Sequence, residues 1–597
     1  MAKKMLTQNR LALLLLFILL AFLQQGTSNG AQPTPWRTSN AVVAGWDWSL
    51  PPYVKPAPSS GLIYRKGDTI SLPGNKLVDV GIFWRELEPE EGKYNFAPLR
   101  EQLENLPEDC AGYRLHIYAS VARKDFWDKK TGEKVEHYSQ RTAPLWLKKY
   151  DIPTLAMDKV DNGFQLVNYA IWHPAYHSRY LKLVKALGKS GVLGITGRVP
   201  QARIIYIGGM SKSWGDEMYI PQKLYPKFEK EAGLSPQKLE QCLKERLAAW
   251  AQAAGKNVDR LAWVGAGTDS GGNEAYRSVG PNVLRYAYQL GMGQRCGFVE
   301  NYLYHLSNPL LGQSVNEEGY SIVDETLPAI AEKRAFGDEN EEYGPFWVTR
   351  FGPMETHPPR YLDSMLRSLQ MRRNFLWMGS STKTDINPEL TAYISLTLGR
   401  DISDTPDAFC YLRESSVYSQ ATGRKPGQKA AAVKNFERWL KQRDIPGAMT
   451  VAVHKEPQHS GLWMVPKDKK YNYVARRTDV ATGNNKIAFD LDDRFEKPFI
   501  AGKKERVIPT RYAIKVTYYD TGNGSWSLVW KKENGGEGRA KVLLHDTNKL
   551  KTATLFVDGM AIQRKGNKKA EAFSTDFWIE ANEIDAVVRL VRVVRLP

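Results

Sequence analysis

The chain of 597 residues is too long for one domain and suits two or three. With 42% hydrophobic, 25% charged and 11% aromatic residues it has the composition of a folded protein, and a mean hydropathy of −0.45 excludes a polytopic membrane protein. Its 83 Lys and Arg against 65 Asp and Glu leave a formal charge of +18, which argues for a polyanionic partner without saying which: nucleic acid, a membrane surface or an acidic polymer.

Lys3, Lys4 and Arg10 precede an apolar run from Leu11 to Leu23, and the small and polar QQGTSNGAQ follows. This is the pattern of a secretory signal peptide over residues 1–30. The run is shorter than the roughly 20 apolar residues a spanning helix needs. A secreted or periplasmic protein is therefore expected, with no membrane contact beyond the leader. Export argues against nucleic acid as the partner, and no nucleic-acid-binding motif occurs. Cys110, Cys242, Cys296 and Cys410 are widely spaced without a CxxC pair, so neither a zinc site nor a redox motif is indicated. The spacing leaves disulfides and buried thiols both open.

Residues 31–400 carry only +4, whereas residues 401–597 carry +11. The pattern of the chain changes at the same place. Between Ala41 and Arg400, eight apolar runs alternate with helix-like stretches: AVVAGWDW, LVDVGIFW, YRLHIYAS, RIIYIGG, LAWVGAG, CGFVENYLY, KRAFGDE and NFLWMG. Strand then helix, eight times over, predicts a (β/α)8 TIM barrel across residues 31–400. Residues 401–449 read as a linker and a helical segment, VKNFERWLKQR. From residue 450 to 597, β-branched and aromatic residues alternate with polar ones between Gly- and Asn-rich turns. That pattern predicts a basic antiparallel β-sandwich, jelly-roll-like.

A barrel works from the C-terminal ends of its strands. The second run continues as GIFWRELEPEEGKYNF, placing Trp84 and Arg85 at a strand end followed by an acidic turn. This string resembles the W-x-x-x-E-P-x-x-G-x-Y-x-F motif of clan A glycoside hydrolases, including the family 42 β-galactosidases. Glu86 and Glu88 also read as solvated acids at a helix start. The resemblance implies an acid/base Glu at the end of strand four and a nucleophilic Glu at the end of strand seven. Retaining hydrolysis needs such carboxyl groups about 5–5.5 Å apart across the bond to be cut.

The fourth run leads into MSKSWGDEMYIP, where Glu217 follows Trp214, Gly215 and Asp216. The W-G-x-E ending resembles the acid/base segment but departs from the common Asn-Glu pair, which leaves Asp216 as a rival. Glu217 is favoured because its longer side chain reaches a leaving oxygen and a neighbouring Trp can desolvate it. The seventh run ends in Asp338, Glu339, Glu341 and Glu342; Glu339, first after the strand, is the expected nucleophile. Glu341 and Glu342 are alternatives, as is Glu355 if FWVTRF is strand seven.

Trp48 in the first run, Trp84 and Arg85 at the end of the second, His116 in the third, Trp214 and Asp216 after the fourth, Asn301 and Tyr302 in the sixth, Glu341 and Glu342 after the seventh and Trp377 in the eighth are candidate sugar contacts. Aromatic faces stack on pyranose C–H faces, while Asn, His and Arg85 suit hydroxyl or sulfate groups. No cofactor and no metal are expected, since no nucleotide-binding loop or metal-ligand spacing occurs. Lys and Arg in the sandwich, such as Lys503, Lys504, Arg506, Lys531, Lys532, Arg564 and Lys565, suit either guarded sheet edges or an anionic polymer. The sequence thus predicts a secreted retaining glycoside hydrolase acting on an anionic, sulfated galactan of carrageenan, porphyran or agar type. The alternative is a non-catalytic polysaccharide-binding protein on a barrel scaffold.

Overall fold

A computed structural model describes residues 35–68, 71–128, 130–160, 163–194, 202–212, 217–265, 274–299, 308–341, 343, 357–380, 386–415, 433–453, 472–496, 511–562 and 573–596. The leader expected over residues 1–30 lies outside them.

Eight parallel strands close into a barrel: Gly61–Arg65, Lys76–Phe83, Gly112–Tyr118, Ala202–Ile207, Leu261–Trp263, Gly293–Phe298, Phe336–Glu339 and Phe375–Gly379, the last pairing with the first. The expected first strand is replaced. Ala41–Ala44 pairs antiparallel with Lys549–Val557 in the C-terminal region, and GLIYR takes its place in the barrel. The reason is burial. A barrel strand is covered on both faces, and Leu62, Ile63 and Tyr64 are all buried, whereas Val42 is 50% exposed. The substitution of one run for another keeps the strand count, so the runs expected as four and seven are strands four and seven.

Alternation along each strand divides its side chains between the barrel interior and the helical layer. Ile63, Leu77, Ile204, Tyr206, Ala262 and Phe375 cluster inside. Val78, Val80, Ile82, Leu115, Ile205 and Ile207 pack outward against the helices. Gly293 and Gly337 point inward where a Cβ would meet the carbonyl oxygens of Ala335 at 1.9 Å and Phe375 at 2.3 Å, so the floor closes only with glycine there. The helix Pro236–Ala254 starts on Ser235, whose Oγ accepts the Lys238 N–H at 3.2 Å, with Pro236 in the first turn. It packs on Pro174–Ser190, where Tyr176, Tyr180, Leu183, Val184 and Leu187 form one buried stripe. No helix among the described residues is long and apolar enough to cross a membrane.

A four-stranded antiparallel sheet that the sequence reading did not anticipate is inserted between barrel strands three and four. Its strands are Val121–Trp127, Lys134–His137, Thr154–Ala156 and Phe164–Tyr169.

The C-terminal region is a β-sandwich of two antiparallel sheets around a core that includes Phe489, Trp526, Leu528, Phe577 and Val591. The expected helix VKNFERWLKQR is two strands instead, Val433–Arg438 and Leu440–Gln442, which belong to different sheets. Trp439 between them has φ of 59°, a turn no helix contains. Residues 435–440 are all buried, so the one-sided apolar stripe that a surface helix needs is absent and strand pairing prevails. Barrel and sandwich share a buried contact. Trp48 stacks on Tyr393 at 5.3 Å between ring centres, and Asp47 pairs with Lys515 at 2.7 Å. All four cysteines are buried free thiols.

Candidate functional site at the barrel mouth

The string after strand two folds back on itself. Trp84 Nε1 donates to Glu88 Oε2 at 2.7 Å, and the Gly92 N–H donates to Glu88 Oε1 at 2.8 Å. The Glu88 carbonyl accepts Trp146 Nε1 at 3.0 Å. The spacing of Trp, Glu and Gly is therefore what one buried carboxylate needs to be held from both sides. Burial pushes the Glu88 carboxyl up, against the two hydrogen bonds that favour its charge. Trp84 is fully buried, edge-on to Tyr176 and Trp146, and has no surface to offer a sugar. Glu86 accepts the Phe83 N–H at 2.9 Å and closes the turn.

Higher in the barrel, the inward positions become charged. Asp79 of strand two pairs with Arg114 of strand three at 2.6 Å. The Arg114 guanidinium lies 4.5 Å from the Tyr206 ring centre and 5.2 Å from that of Trp377. Arg295 of strand six pairs through Nη2 with Glu339 Oε1 at 2.7 Å, and the same nitrogen holds Glu217 Oε1. Glu339 is the last residue of strand seven and Glu217 lies beyond strand four, in a loop tied down on both sides. The Met218 N–H donates to the Val264 carbonyl at 2.8 Å, and the Tyr219 N–H to the Met210 carbonyl at 2.9 Å. Two acceptors on one nitrogen stand no more than two hydrogen-bond lengths apart, about 6 Å. Glu339 is 4% exposed and Glu217 26%, so one carboxylate forms the floor of the pocket and the other its wall.

His116 is fully buried beside this group. Burial, with Arg114 and Arg295 facing it, pushes its pKa well below the usual histidine range, so the ring is neutral. Burial pushes the Tyr206 phenol up. Asp79 is also pushed up by burial, against the pull of Arg114. Three buried polar atoms here, His116 Nδ1, Tyr206 Oη and Trp377 Nε1, have no hydrogen-bond partner among the described residues. Buried polar groups are ordinarily satisfied, so these three mark an unusually polar interior beside the charged group.

Strand alternation sends Asp338 the other way. It pairs with Arg373 at 2.5 Å in the outer layer, buried, and is no part of the pocket. Around the opening, Gly81 is exposed and the Tyr118 ring lies over it; Phe83 meets that ring edge-on at 5.9 Å. Arg85 caps Phe83, its guanidinium 5.2 Å from the ring centre. The inserted sheet leans on the loop that carries Glu217: Ser120 Oγ donates to Asn168 Oδ1 at 2.8 Å, and Asn168 Nδ2 donates to the Ser211 carbonyl at 3.2 Å.

Of the residues singled out in the sequence, the pocket brings together Glu217, Glu339, His116 and Trp377, with Arg85 at its rim. Trp48 does not line it: with its strand moved to the sandwich, Trp48 is buried against Tyr393 and Trp46. Trp84 supports Glu88 instead. Glu341 is half-buried just past strand seven. Trp214, Asp216, Asn301, Tyr302, Glu342 and Glu355 lie outside the described residues. Sequence reasoning missed Arg295, Arg114, Asp79 and Tyr206. The available signal for the three charged ones was a charge at an inward register position of a strand with at most one other charge, as Arg295 in GQRCGF. No three His, Cys, Asp or Glu among the described residues group as metal ligands.

The chain is thus an eight-stranded parallel barrel with a mixed-charge pocket at its C-terminal mouth, followed by an antiparallel β-sandwich. No protein-family model matches it, and no curated protein does. Among solved structures it is similar to the uncharacterized protein lmo2446 of Listeria monocytogenes EGD-e, solved in complex with α-D-glucose, β-D-glucose, magnesium and calcium. The likeness has 9% identity, covers 91% of this chain and 67% of that one, and has a TM-score of 0.17. At that score nothing about function passes from one protein to the other.

Proposed function

We propose that this protein is a secreted clan A-type glycoside hydrolase that cleaves an anionic galactan by a two-glutamate retaining mechanism. The observation that carries the reading is the meeting of Glu217 and Glu339 on one nitrogen of Arg295. Two carboxylates from opposite strands of a barrel mouth, whose arginine-bound oxygens stand no more than about 6 Å apart, are compatible with the close pair that retention requires. In this reading Glu339 Oε attacks the anomeric carbon while protonated Glu217 gives its proton to the leaving oxygen. Glu217, now a carboxylate, then takes a proton from the water that releases the sugar from Glu339. Arg295 stabilises the Glu339 carboxylate before attack and after release. Phe83 and Tyr118 at the opening offer ring faces to a pyranose.

The anionic substrate is supported by the charge of the chain and the leader in its sequence; Lys503, Lys504, Arg506, Arg564 and Lys565 lie outside the described residues. One observation favours a binding protein instead: Arg295 is paired with both carboxylates, as in a purely structural ion-pair cluster. Reducing-end release from carrageenan, porphyran and agar separates the two readings. Hydrolysis by the wild type that is lost in both Glu217→Gln and Glu339→Gln supports the hydrolase. Binding without hydrolysis of any glycan supports the alternative.

A further inference from the structure

We propose that Arg85 and Arg141 form a subsite for an oxyanion carried on the substrate, a sulfate ester or a carboxylate, at the rim of the barrel. The inference rests on the proposed glycan-cleaving role of the pocket and moves anion recognition from the basic sandwich to the cleft itself.

The two arginines are brought together by main-chain contacts. The Arg85 N–H donates to the Thr142 carbonyl at 3.1 Å, and its Nη1 donates to the Ser139 carbonyl at 2.7 Å. Residues 139 and 142 flank Arg141, so Arg85 is held against the turn that carries it. The inserted sheet anchors that turn, with the Val121 N–H donating to Thr142 Oγ1 at 3.0 Å and the Thr142 N–H to the Val121 carbonyl at 2.9 Å. No carboxylate pairs with either guanidinium among the described residues, and Arg141 Nε is buried without a hydrogen-bond partner. Burial and the neighbouring Arg85 charge both disfavour the charged form of Arg141.

Two like charges brought near one another, with no counter-ion among the described residues, repel and favour an anion that joins them. A planar guanidinium pair matches the tetrahedral oxygens of a sulfate or the two of a carboxylate. The position fits a substituent on a bound sugar. Arg85 covers Phe83, Phe83 meets Tyr118, and the Tyr118 ring lies 4.2 Å from that of His116, so the subsite and the charged floor are two ends of one aromatic wall. The floor holds more carboxyl groups than guanidiniums, with Asp79, Glu217 and Glu339 facing Arg114 and Arg295. An anionic substituent is therefore recognised at the rim rather than at the floor.

The test uses the full chain and three probes: a sulfated carrageenan oligosaccharide, an oligogalacturonate, and a neutral agarose oligosaccharide. For Arg141→Gln, whose lost side chain makes no hydrogen bond among the described residues, the ratio of kcat/KM on the anionic probe to that on the neutral one should fall at least tenfold, carried by KM. Arg141→Lys should recover part of the loss, and whichever anionic probe shows it identifies sulfate or carboxylate as the group bound. An unaltered ratio, or an equal loss on the neutral probe, overturns the subsite. Should the wild type hydrolyse none of the three, the hydrolase reading fails and calorimetry decides the subsite. Arg141→Gln must then lose at least tenfold in affinity for an anionic oligosaccharide alone; equal affinity in the variant and the wild type rejects it.

Discussion

Glu217 and Glu339, 122 positions apart in the sequence, meet on the same Nη2 of Arg295, with Glu339 at 2.7 Å. The barrel makes this encounter possible by placing the ends of strands four and seven on opposite sides of one mouth. The guanidinium, itself 5% exposed, keeps two carboxylates in a confined space without leaving them to repel one another.

Removing that guanidinium strands two carboxylates, one of them buried. Breaking a buried pair by deleting one partner typically costs about 3–5 kcal/mol. Arg295→Met should therefore lower stability by about 3 kcal/mol and abolish glycan cleavage, and Arg295→Lys should recover stability more than activity because one ammonium cannot reproduce the guanidinium fork. Thermal unfolding and reducing-end assays on the same preparations check this.

Asp338 and Glu339 are neighbours with opposite fates. Asp338 faces Arg373 in the outer layer, and Glu339 faces the pocket. Asp338→Asn should destabilise the protein by about 3 kcal/mol through the unpaired buried Arg373, with KM unaltered in the folded fraction. Glu339→Gln should instead abolish turnover. Measuring kcat, KM and unfolding midpoints for both variants separates the two roles.

The sandwich carries an acid-sensitive contact. Burial alone would raise the Asp520 carboxyl, but Lys551 at 2.7 Å, the Thr547 hydroxyl at 2.6 Å and the His545 N–H at 2.8 Å overcome it and hold the pKa at about 2. An unfolded Asp takes its proton near pH ~4. The folded value is the lower one, so the unfolded chain binds the extra proton first as pH falls. The contribution of Asp520 is whole above about pH 4 and is lost as pH falls through about 2. Denaturant unfolding across that range should show stability declining with acid, and Asp520→Asn should be weaker at neutral pH and flatter below pH 4.

Much of this architecture was legible because a barrel strand is an apolar run covered on both faces, and seven of the eight runs overlap such strands, the sixth only over Cys296–Phe298. The first was misread because AVVA resembles a barrel strand in composition, while its half-exposed pattern belongs to a sandwich edge. GLIYR, two residues after a Pro-rich stretch that ends at Pro58, carried the right burial without an evident helix behind it. The glutamates could be named from strand count. Arg295 could not: a cation inside a strand looks unfavourable until the two carboxylates that neutralise it are brought from other parts of the chain. The same holds for Trp84, whose place in the motif suggested a sugar contact but whose indole is spent on Glu88. The inserted sheet is hard to read because charges interrupt VARKDFW and KVEH and because TLA is only three residues long. Arg141 went unremarked with it.

The central claim is that Glu217 and Glu339 cut a glycosidic bond in two steps. It is tested most directly by following the anomeric protons of a galactan oligosaccharide by NMR during the first turnovers. The account predicts that the first product has the same anomeric configuration as the bond cleaved, and that Glu217→Gln and Glu339→Gln form no product. A first product of inverted configuration, or undiminished cleavage by either variant, would contradict it.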